Sequence, residues 1–301
     1  MKTRDAAKGR WKAILPMLGI DAAVLDGKHH PCPANGQGED RFRFADREGT
    51  GSYFCHCSTG KGNGIDLVKC CRGVEYAEAA KLVDSVVGRA EQEPEKPKRD
   101  PRPALQRIQS RLKPASGPVR RYLAGRGLTM PPSLRQARLT YWDGREQRGV
   151  FECMVAKVVA ADGSPVSFHV TYLHAGAKAD VPAPRKVMPP IGTINGAAVR
   201  LYPKAAHIGI AEGIETAIAA HLLSGLPVWS VLNANGVQTF DPPEGVEHVT
   251  VFADNDANGT GQAAAYACMA RLVSRGITCD VRLPETGKDW NDVLQRQEAA
   301  A

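Results

Sequence analysis

The stretch IGIAEGIETAIAAHLL, residues 208–223, decides how the C-terminal third of the chain folds. A short apolar run ends at Glu212-Gly213, and a helix is predicted over residues 215–223. Further strands are predicted at residues 228–232, 249–253 and 277–283, and further helices at residues 262–274 and 290–295. Strands that alternate with helices in this way indicate a mainly parallel, Rossmann-like α/β sheet.

Acidic motifs follow three strands of this predicted sheet. Glu212 follows the first strand, Asp254 and Asp256 follow a later one, and Asp289 lies in the GKDWND sequence after the last. Open α/β sheets form their sites at the carboxyl ends of strands, and carboxylates there bind Mg²⁺ or Mn²⁺. A single Asp-x-Asp is usually a solvated turn. The prediction of a metal site therefore depends on all three motifs in one small domain.

Cysteines and histidines near the N-terminus predict a zinc site. Five of the eight cysteines fall in the first quarter of the chain. His29 and Cys32 form an H-x-x-C pair, and Cys55 and Cys57 form a C-x-C pair. Two close pairs of ligands suit the tetrahedral coordination of Zn²⁺. His30 remains an alternative to His29 as the fourth ligand.

Basic and aromatic residues alternate between the two ligand pairs. The runs at residues 41–44 and 52–54 predict two strands of a small ribbon, with a glycine-rich turn at residues 49–51. Arg41 and Arg43 are predicted to hold template phosphates, while neighbouring aromatic rings stack bases. The alternative is that these aromatic side chains form the small core of the ribbon.

The N-terminal segment, residues 1–90, is predicted to be a template-binding domain that ends in two helices, at residues 65–71 and 76–87. Cys70 and Cys71 lie on the first of these helices, where buried thiols are the expected role. Four prolines and few apolar residues in residues 91–103 predict an extended linker.

A basic segment separates the linker from the C-terminal domain. The chain has a net charge of +7, and residues 102–138 contain nine Arg or Lys and no Asp or Glu. Such a segment attracts phosphates. Strand-like runs at residues 150–160 and 166–173 flank the hairpin signal Asp162-Gly163. We therefore predict an α+β basic subdomain at residues 104–206, followed by a C-terminal catalytic domain at residues 207–301.

Several of these motifs resemble those of one protein family. AEGIETAIAA (residues 211–220) and FADNDANGTGQAA (residues 252–264) resemble the Glu-Gly and Asp-x-Asp motifs of a Toprim domain. Residues 29–68 resemble the zinc ribbon at the start of phage-type primases and primase–helicases. RRYLAGRGL (residues 120–128) and APRKVM (residues 183–188) resemble the part that precedes Toprim in those proteins. The chain is thus similar to phage- and plasmid-type DNA primases over nearly its whole length.

The resemblance implies that the protein synthesises short RNA primers on single-stranded DNA from ribonucleoside triphosphates. Asp254 and Asp256 would bind catalytic Mg²⁺ or Mn²⁺ together with Glu212, which would also be a candidate general base. Asp289 would be a further catalytic carboxylate, and the zinc ion would be structural. Three basic residues would contact template or nucleotide phosphates: Arg185, Lys186 and Lys288.

The sequence departs from the family at the zinc ribbon. Asn35 stands where the family often has a second cysteine, which is why a histidine is predicted as the fourth ligand. No G-x-x-x-x-G-K-[ST] phosphate loop occurs in the sequence, so we expect a separate replicative helicase as partner. No apolar run has the length of a membrane span, and no secretory signal is recognised, so a cytoplasmic protein with no membrane partner is expected.

Two other functions remain open. A Toprim nuclease would use the same metal ions to activate water, whereas a topoisomerase would need a large module with a nucleophilic tyrosine. A non-catalytic, zinc-dependent DNA-binding replication protein would use the ribbon and the basic segment alone.

Overall fold

A computed structural model describes residues 3–57, 60–91, 100–255, 259–285, 287 and 289–300. For residues 298–300 it describes the backbone alone. Asp256 and Lys288, two of the predicted site residues, lie outside the described residues, as does most of the predicted linker. The chain divides into two compact units, Met1–Lys98 and Arg99–Ala301. Across the described ranges, no helix is long and apolar enough to cross a membrane.

The described part of the N-terminal unit combines four helices with a small antiparallel sheet. Its elements are α1 (Thr3–Ala7), α2 (Trp11–Met17), β1 (His29–His30), β2 (Phe42–Phe44), β3 (Tyr53–Cys55), β4 (Lys61–Gly62), α3 (Gly64–Arg72) and α4 (Tyr76–Val87). The strands pair in the order β1-β2-β3-β4. The predicted ribbon and the two predicted helices at its end are therefore confirmed.

Trp11 on α2 forms the centre of this unit. Its side chain is 1% exposed and packs against the first turn of α3. A Cβ atom added to Gly64 would lie 2.2 Å from an indole carbon of Trp11, so only glycine fits there. The turn is also capped, because the Asn63 side chain accepts hydrogen bonds from the backbone N–H groups of Ile65 and Asp66.

The first half of the C-terminal unit contains two helices and seven strands. They are α5 (Arg102–Gln109), β5 (Lys113–Pro114), α6 (Gly117–Ala124), β6 (Arg135–Asp143), β7 (Glu146–Val159), β8 (Pro165–His174), β9 (Ala177–Lys178), β10 (Arg185–Val187) and β11 (Ala198–Val199). The β7–β8 hairpin was predicted, and α5 begins at Arg102, so it includes the last two residues of the predicted linker.

Strand β6 was not predicted. Its alternate residues Ala137, Leu139 and Tyr141 are buried and pack on one face, while Arg135 and Arg138 are exposed. The arginines dominate the composition of this segment, and they obscured the strand periodicity.

The second half of the unit alternates strands and helices. It contains β12 (His207–Ala211), α7 (Ile214–Ser224), β13 (Val228–Ser230), α8 (Ala234–Thr239), β14 (His248–Phe252), α9 (Thr260–Val273), β15 (Thr278–Arg282) and α10 (Trp290–Ala300). The strands pair in parallel in the order β13-β12-β14-β15, which confirms the mainly parallel sheet. Helix α10 is longer than predicted.

One sheet connects the two halves of this unit. Strand β7 pairs with β6 and β8 along most of its length, and Val158 and Val159 at its end pair with β11. Strand β11 in turn pairs with β13 through Val199 and Ser230. The predicted boundary between residues 206 and 207 therefore falls inside a sheet that runs through all the described strands of this unit.

A buried carboxylate also connects the two halves. Glu215, in the first turn of α7, is 6% exposed. Its Oε1 atom accepts a 2.5 Å hydrogen bond from the Tyr122 hydroxyl on α6 and lies 3.0 Å from Nζ of Lys178 on β9. Burial raises the pKa of Glu215, but the charge of Lys178 and the hydrogen bond from Tyr122 lower it by more. The net result is a pKa of about 2. Glu215, Tyr122 and Lys178 are called the buried carboxylate cluster below.

Replacing Gly64 by alanine tests the contact with Trp11. Gly64→Ala is expected to lower the free energy of unfolding of the N-terminal unit by about 1–3 kcal/mol, because the new methyl group overlaps the indole. The matched control is Gly88→Ala, where φ is −68° and no atom lies within 4 Å of the added Cβ. Calorimetry of the full chain measures both variants, and equal effects would contradict this packing.

Replacing Glu215 by glutamine tests the buried carboxylate cluster. The pKa of Glu215 falls from 4.5 to about 2 on folding, so its ionised form stabilises the fold above about pH 4.5. That stabilisation is lost as the pH falls toward 2. Glu215→Gln is therefore expected to lower the free energy of unfolding at pH 7 by about 3 kcal/mol, and the difference from wild type should shrink in acid.

The control for this experiment is Glu146→Gln, which removes a surface pair with Arg148 in which the glutamate side chain is 63% exposed. This control is expected to lower the free energy of unfolding by less than about 1 kcal/mol. Denaturant unfolding across the pH range measures both. If wild type and Glu215→Gln lost stability in parallel between pH 4.5 and 2, the assigned pKa shift would be wrong.

Candidate active site

Two of the predicted catalytic carboxylates lie at the carboxyl ends of neighbouring parallel strands. Glu212 directly follows β12, and Asp254 follows β14 after one residue. Glu212 Oε1 lies 3.7 Å from the point where a Cβ atom of Gly261 would stand, and the Asp254 carbonyl oxygen lies 3.0 Å from it. The structure therefore brings Glu212 and Asp254 together beside the first turn of α9. Both side chains are partly buried, and carboxylates at the ends of adjacent strands are of the hard-oxygen type that suits Mg²⁺ or Mn²⁺.

Asp289 lies at the start of α10 and caps it. Its Oδ1 atom accepts hydrogen bonds from the backbone N–H groups of Asn291 and Asp292, at 2.9 and 3.0 Å. The next residue, Trp290, donates its indole N–H to the carbonyl of Ala253 at the end of β14. Asp289 thus caps the helix whose first residue, Trp290, bonds the residue directly before Asp254.

Arg185 and Lys186 are neighbours on β10 but have different surroundings. Lys186 Nζ donates a 2.6 Å hydrogen bond to the Trp142 carbonyl and lies 3.7 Å from the centre of the Tyr141 ring. Arg185 is exposed, and its guanidinium interacts electrostatically with Tyr122 of the buried carboxylate cluster. Of the two, Arg185 is therefore the exposed one, whereas Lys186 is partly buried.

Three of the four predicted zinc ligands lie together. The thiols of Cys32, Cys55 and Cys57 are all within 4.8 Å of one another, and Cys32 and Cys55 are buried. Zn–S bonds of about 2.3 Å place thiolates about 3.8 Å apart, so this group fits Zn²⁺. His29 is not in the group. It is exposed on β1, with Nδ1 3.0 Å from the Asp40 carbonyl oxygen.

The sequence interpretation missed Cys71 as a neighbour of this group. Cys71 lies in the last turn of α3, where burial raises its pKa to about 12, and the nearby thiols of Cys70, Cys32 and Cys57 raise it too. The signal in the sequence was the Cys70-Cys71 pair directly after the ribbon. His30, the alternative ligand, has its Nε2 atom 2.7 Å from a carboxylate oxygen of Asp26.

The outer side of the ribbon carries a row of basic and aromatic residues. The strand register aligns His29 with Arg43, Arg43 with Phe54 and Phe54 with Lys61, and all four side chains are exposed. We call these four residues the exposed ribbon face. The side chain of Arg41, two residues before Arg43, is partly buried.

The other aromatic side chains of the ribbon belong to the core. Phe42, Phe44 and Tyr53 are at most 4% exposed, whereas Phe54 is 45% exposed. Of these four rings, Phe54 is therefore the one in a position to stack on a nucleic-acid base. The alternative that most of these aromatic residues form the ribbon core is confirmed.

Comparisons with known proteins identify three regions of the chain. Residues 27–65 match the zinc-binding domain of primase-helicase, and residues 207–300 match the Toprim domain. Residues 99–201 match a domain of unknown function, designated DUF7146.

Solved structures of primases match this chain at low identity. The zinc-binding and RNA polymerase domains of Aquifex aeolicus primase share 15% identity with a TM-score of 0.44, covering 100% of this chain and 84% of that one. The primase fragment of the bacteriophage T7 primase-helicase shares 15% identity with a TM-score of 0.41, covering 91% and 96%. A primase domain from Pseudomonas aeruginosa shares 15% identity with a TM-score of 0.44, covering 66% and 75%.

The zinc-binding match contains the three grouped thiols, and the Toprim match begins at the first residue of β12 and contains Glu212 and Asp254. The chain therefore carries a zinc-binding domain of the primase-helicase type and a Toprim domain.

Proposed function

We propose that this protein is a DNA primase, which synthesises short RNA primers on single-stranded DNA by metal-dependent nucleotidyl transfer. The observation that carries the proposal is the grouping of Glu212 and Asp254 at the carboxyl ends of adjacent parallel strands. It occurs in a chain that also carries a primase-type zinc-binding domain. In the reaction, the 3′-hydroxyl of one ribonucleotide attacks the α-phosphorus of an incoming ribonucleoside triphosphate, and pyrophosphate leaves.

Glu212 and Asp254 would hold Mg²⁺ or Mn²⁺, with Asp256 as the further ligand that the sequence motif suggests. When bound, such an ion activates the attacking hydroxyl and neutralises the leaving pyrophosphate. We assign Asp289 a positioning role, because both hydrogen bonds to its Oδ1 come from the helix that it caps.

Among the predicted phosphate contacts, the surroundings favour Arg185 over Lys186. Arg185 is exposed, and its positive charge acts on Tyr122 of the buried carboxylate cluster, in which Glu215 lies three residues after Glu212. The ammonium group of Lys186 lies over an aromatic ring and donates to a carbonyl, which gives it a role in holding β10. Lys288 keeps its assignment from the sequence alone.

The zinc ion would order the template-binding unit. Cys32, Cys55 and Cys57 supply three thiolates that satisfy the preference of Zn²⁺ for soft ligands. The electrostatic contact of Cys71 with two of these thiols favours it as the fourth ligand. His29 is exposed on β1 and lies outside the group of thiols, so its ring would have to move to bind the ion instead.

The exposed ribbon face would bind the DNA template. Phe54 offers a ring for base stacking, and Arg43 and Lys61 on either side carry positive charge for phosphates. The basic segment at residues 102–138 would add further phosphate contacts. At a replication fork in the cytoplasm, a separate helicase would be the partner.

Replacing Phe54 tests the template surface. Phe54→Ala is expected to weaken binding to single-stranded DNA about tenfold, because stacking contributes roughly 1–3 kcal/mol per base. The matched control is Tyr266→Ala, which removes a ring that is 51% exposed on α9. Fluorescence anisotropy of a labelled oligonucleotide measures both at one salt concentration. Loss of binding in the control alone would refute the assignment.

Lys61→Ala separates the phosphate contact from the stacking contact in the same assay. This variant retains Phe54 but removes one positive charge, which on binding a phosphate would release a counterion from the DNA. The slope of log affinity against log salt concentration is therefore expected to fall by about 0.7. An unchanged slope would mean that Lys61 does not contact a template phosphate.

Primer synthesis by Asp254→Asn tests the proposed activity. The zinc-loaded chain is incubated with single-stranded templates, labelled ribonucleotides and Mg²⁺ or Mn²⁺. Short RNA products are expected, and Asp254→Asn should lower their rate at least about 100-fold, because a metal ion supplies several kcal/mol of transition-state stabilisation. Asp241→Asn, in a surface pair with Arg275, is the matched control and should synthesise primers normally.

Two outcomes would overturn this proposal. Cleavage of the DNA in the absence of ribonucleotides, lost in Asp254→Asn, would identify a Toprim nuclease. Tight DNA binding without RNA product on varied templates would indicate a non-catalytic replication protein.

A further inference from the structure

Two histidines and an aspartate lie at the end of the parallel sheet opposite to Glu212 and Asp254. His207 and His248 are the first residues of β12 and β14, and they are register partners. Asp280 on β15 is the register partner of Thr250 on β14. Because residues two apart on a strand share a face, the side chains of all four residues lie on the same face of the sheet.

The polar atoms of these side chains converge. His248 Nε2 lies 2.6 Å from Asp280 Oδ1, and Thr250 Oγ1 lies 2.9 Å from both His207 Nε2 and Asp280 Oδ1. One ligand atom from each histidine and from Asp280 lies within 4.8 Å of the other two. The imidazole rings stack with centroids 3.9 Å apart and planes 5° apart, with His248 Nε2 facing Asp280 and His207 Nε2 facing the Thr250 hydroxyl.

The two oxygens of the Asp280 carboxylate have different neighbours. Arg282 Nε lies 3.3 Å from Oδ2, whereas His248 Nε2 and the Thr250 hydroxyl both approach Oδ1. Oδ1 is therefore the oxygen on the side of the histidines.

We propose that His207, His248 and Asp280 form a second metal site, which binds a borderline divalent cation such as Zn²⁺. Two imidazoles and one carboxylate are a ligand set of catalytic-type zinc sites, whereas Mg²⁺ prefers oxygen ligands throughout. The cation replaces the hydrogen bond between His248 and Asp280, and the Thr250 hydroxyl holds the carboxylate from the side. The side chains of His248 and Asp280 are 34% and 39% exposed, so solvent reaches the site and completes the coordination.

The bound cation would connect β12, β14 and β15 at the end of the sheet away from the catalytic carboxylates. Its effect is therefore on the stability of the sheet, since a ligand that binds only the folded state raises stability by mass action. The site is independent of the proposed primase activity, and its test reads metal binding instead of primer synthesis.

The test counts zinc in the full chain after loading and dialysis against a buffer without chelator. Wild type is expected to retain one zinc at the ribbon thiols and a second at the histidine site. His248→Asn should lose only the second, with affinity at least about tenfold weaker. The matched control is His174→Asn, which alters an exposed histidine at the end of β8 and should retain both.

Cobalt substitution distinguishes the two sites. Co²⁺ bound to the ribbon thiolates gives strong near-ultraviolet charge-transfer absorption, which Cys55→Ser should reduce. Co²⁺ at the histidine site gives only weak visible bands, which should persist in Cys55→Ser and vanish in His248→Asn. Asp280→Asn should also lose these bands, and it serves as the second variant if His248→Asn fails to fold, since its amide oxygen still accepts from Thr250. Equal zinc content and equal visible bands in wild type, His248→Asn and Asp280→Asn would overturn the proposal.

Discussion

The buried carboxylate of Glu215 constrains the position of the catalytic edge. A buried charge is costly unless it has partners, and both partners of Glu215 come from the segment before the parallel sheet. Glu215 lies three residues after Glu212, in the first turn of the helix that follows it. Helix α7 therefore cannot rotate or shift without breaking this cluster, and the cluster fixes the acidic edge relative to α6 and β9.

The parallel sheet then determines what lies at each of its ends. Strands β12 and β14 bring Glu212 and Asp254 together at their carboxyl ends, where the chain turns into helices and Gly261 allows α9 to approach. The same register brings His207 and His248 together at the amino ends. One pairing of two strands thus produces a group of hard oxygen ligands at one end and a group with imidazole nitrogens at the other.

Local patterns in the sequence predicted most of the parallel sheet. Strand His207–Ala211 and helix Tyr76–Val87 have the predicted bounds, because their apolar periodicity and flanking turns are local signals. The placement of Glu212 and Asp254 at strand ends followed from the same signals. Glu215 could not be assigned in this way, because its partner Tyr122 is 93 residues away in the sequence.

Side-chain direction was the other quantity that the sequence could not supply. His29 has ligand-like spacing from Cys32, but the pairing of β1 with β2 aligns it with Arg43 on the exposed ribbon face. Cys71 approaches the thiols because α3 packs beside the ribbon, a tertiary contact with no local signature. Similarly, Arg185 and Lys186 are adjacent in sequence, yet only Lys186 lies over the Tyr141 ring.

The central claim is that the carboxyl edge of the parallel sheet binds the catalytic metal ion. The most direct measurement is anomalous diffraction from crystals of the full chain soaked with Mn²⁺ and a non-hydrolysable ribonucleoside triphosphate. The account predicts a manganese peak within bonding distance of Glu212 and Asp254, with the triphosphate bound beside it. Manganese bound elsewhere, with the side chains of Glu212 and Asp254 free of it, would contradict the account.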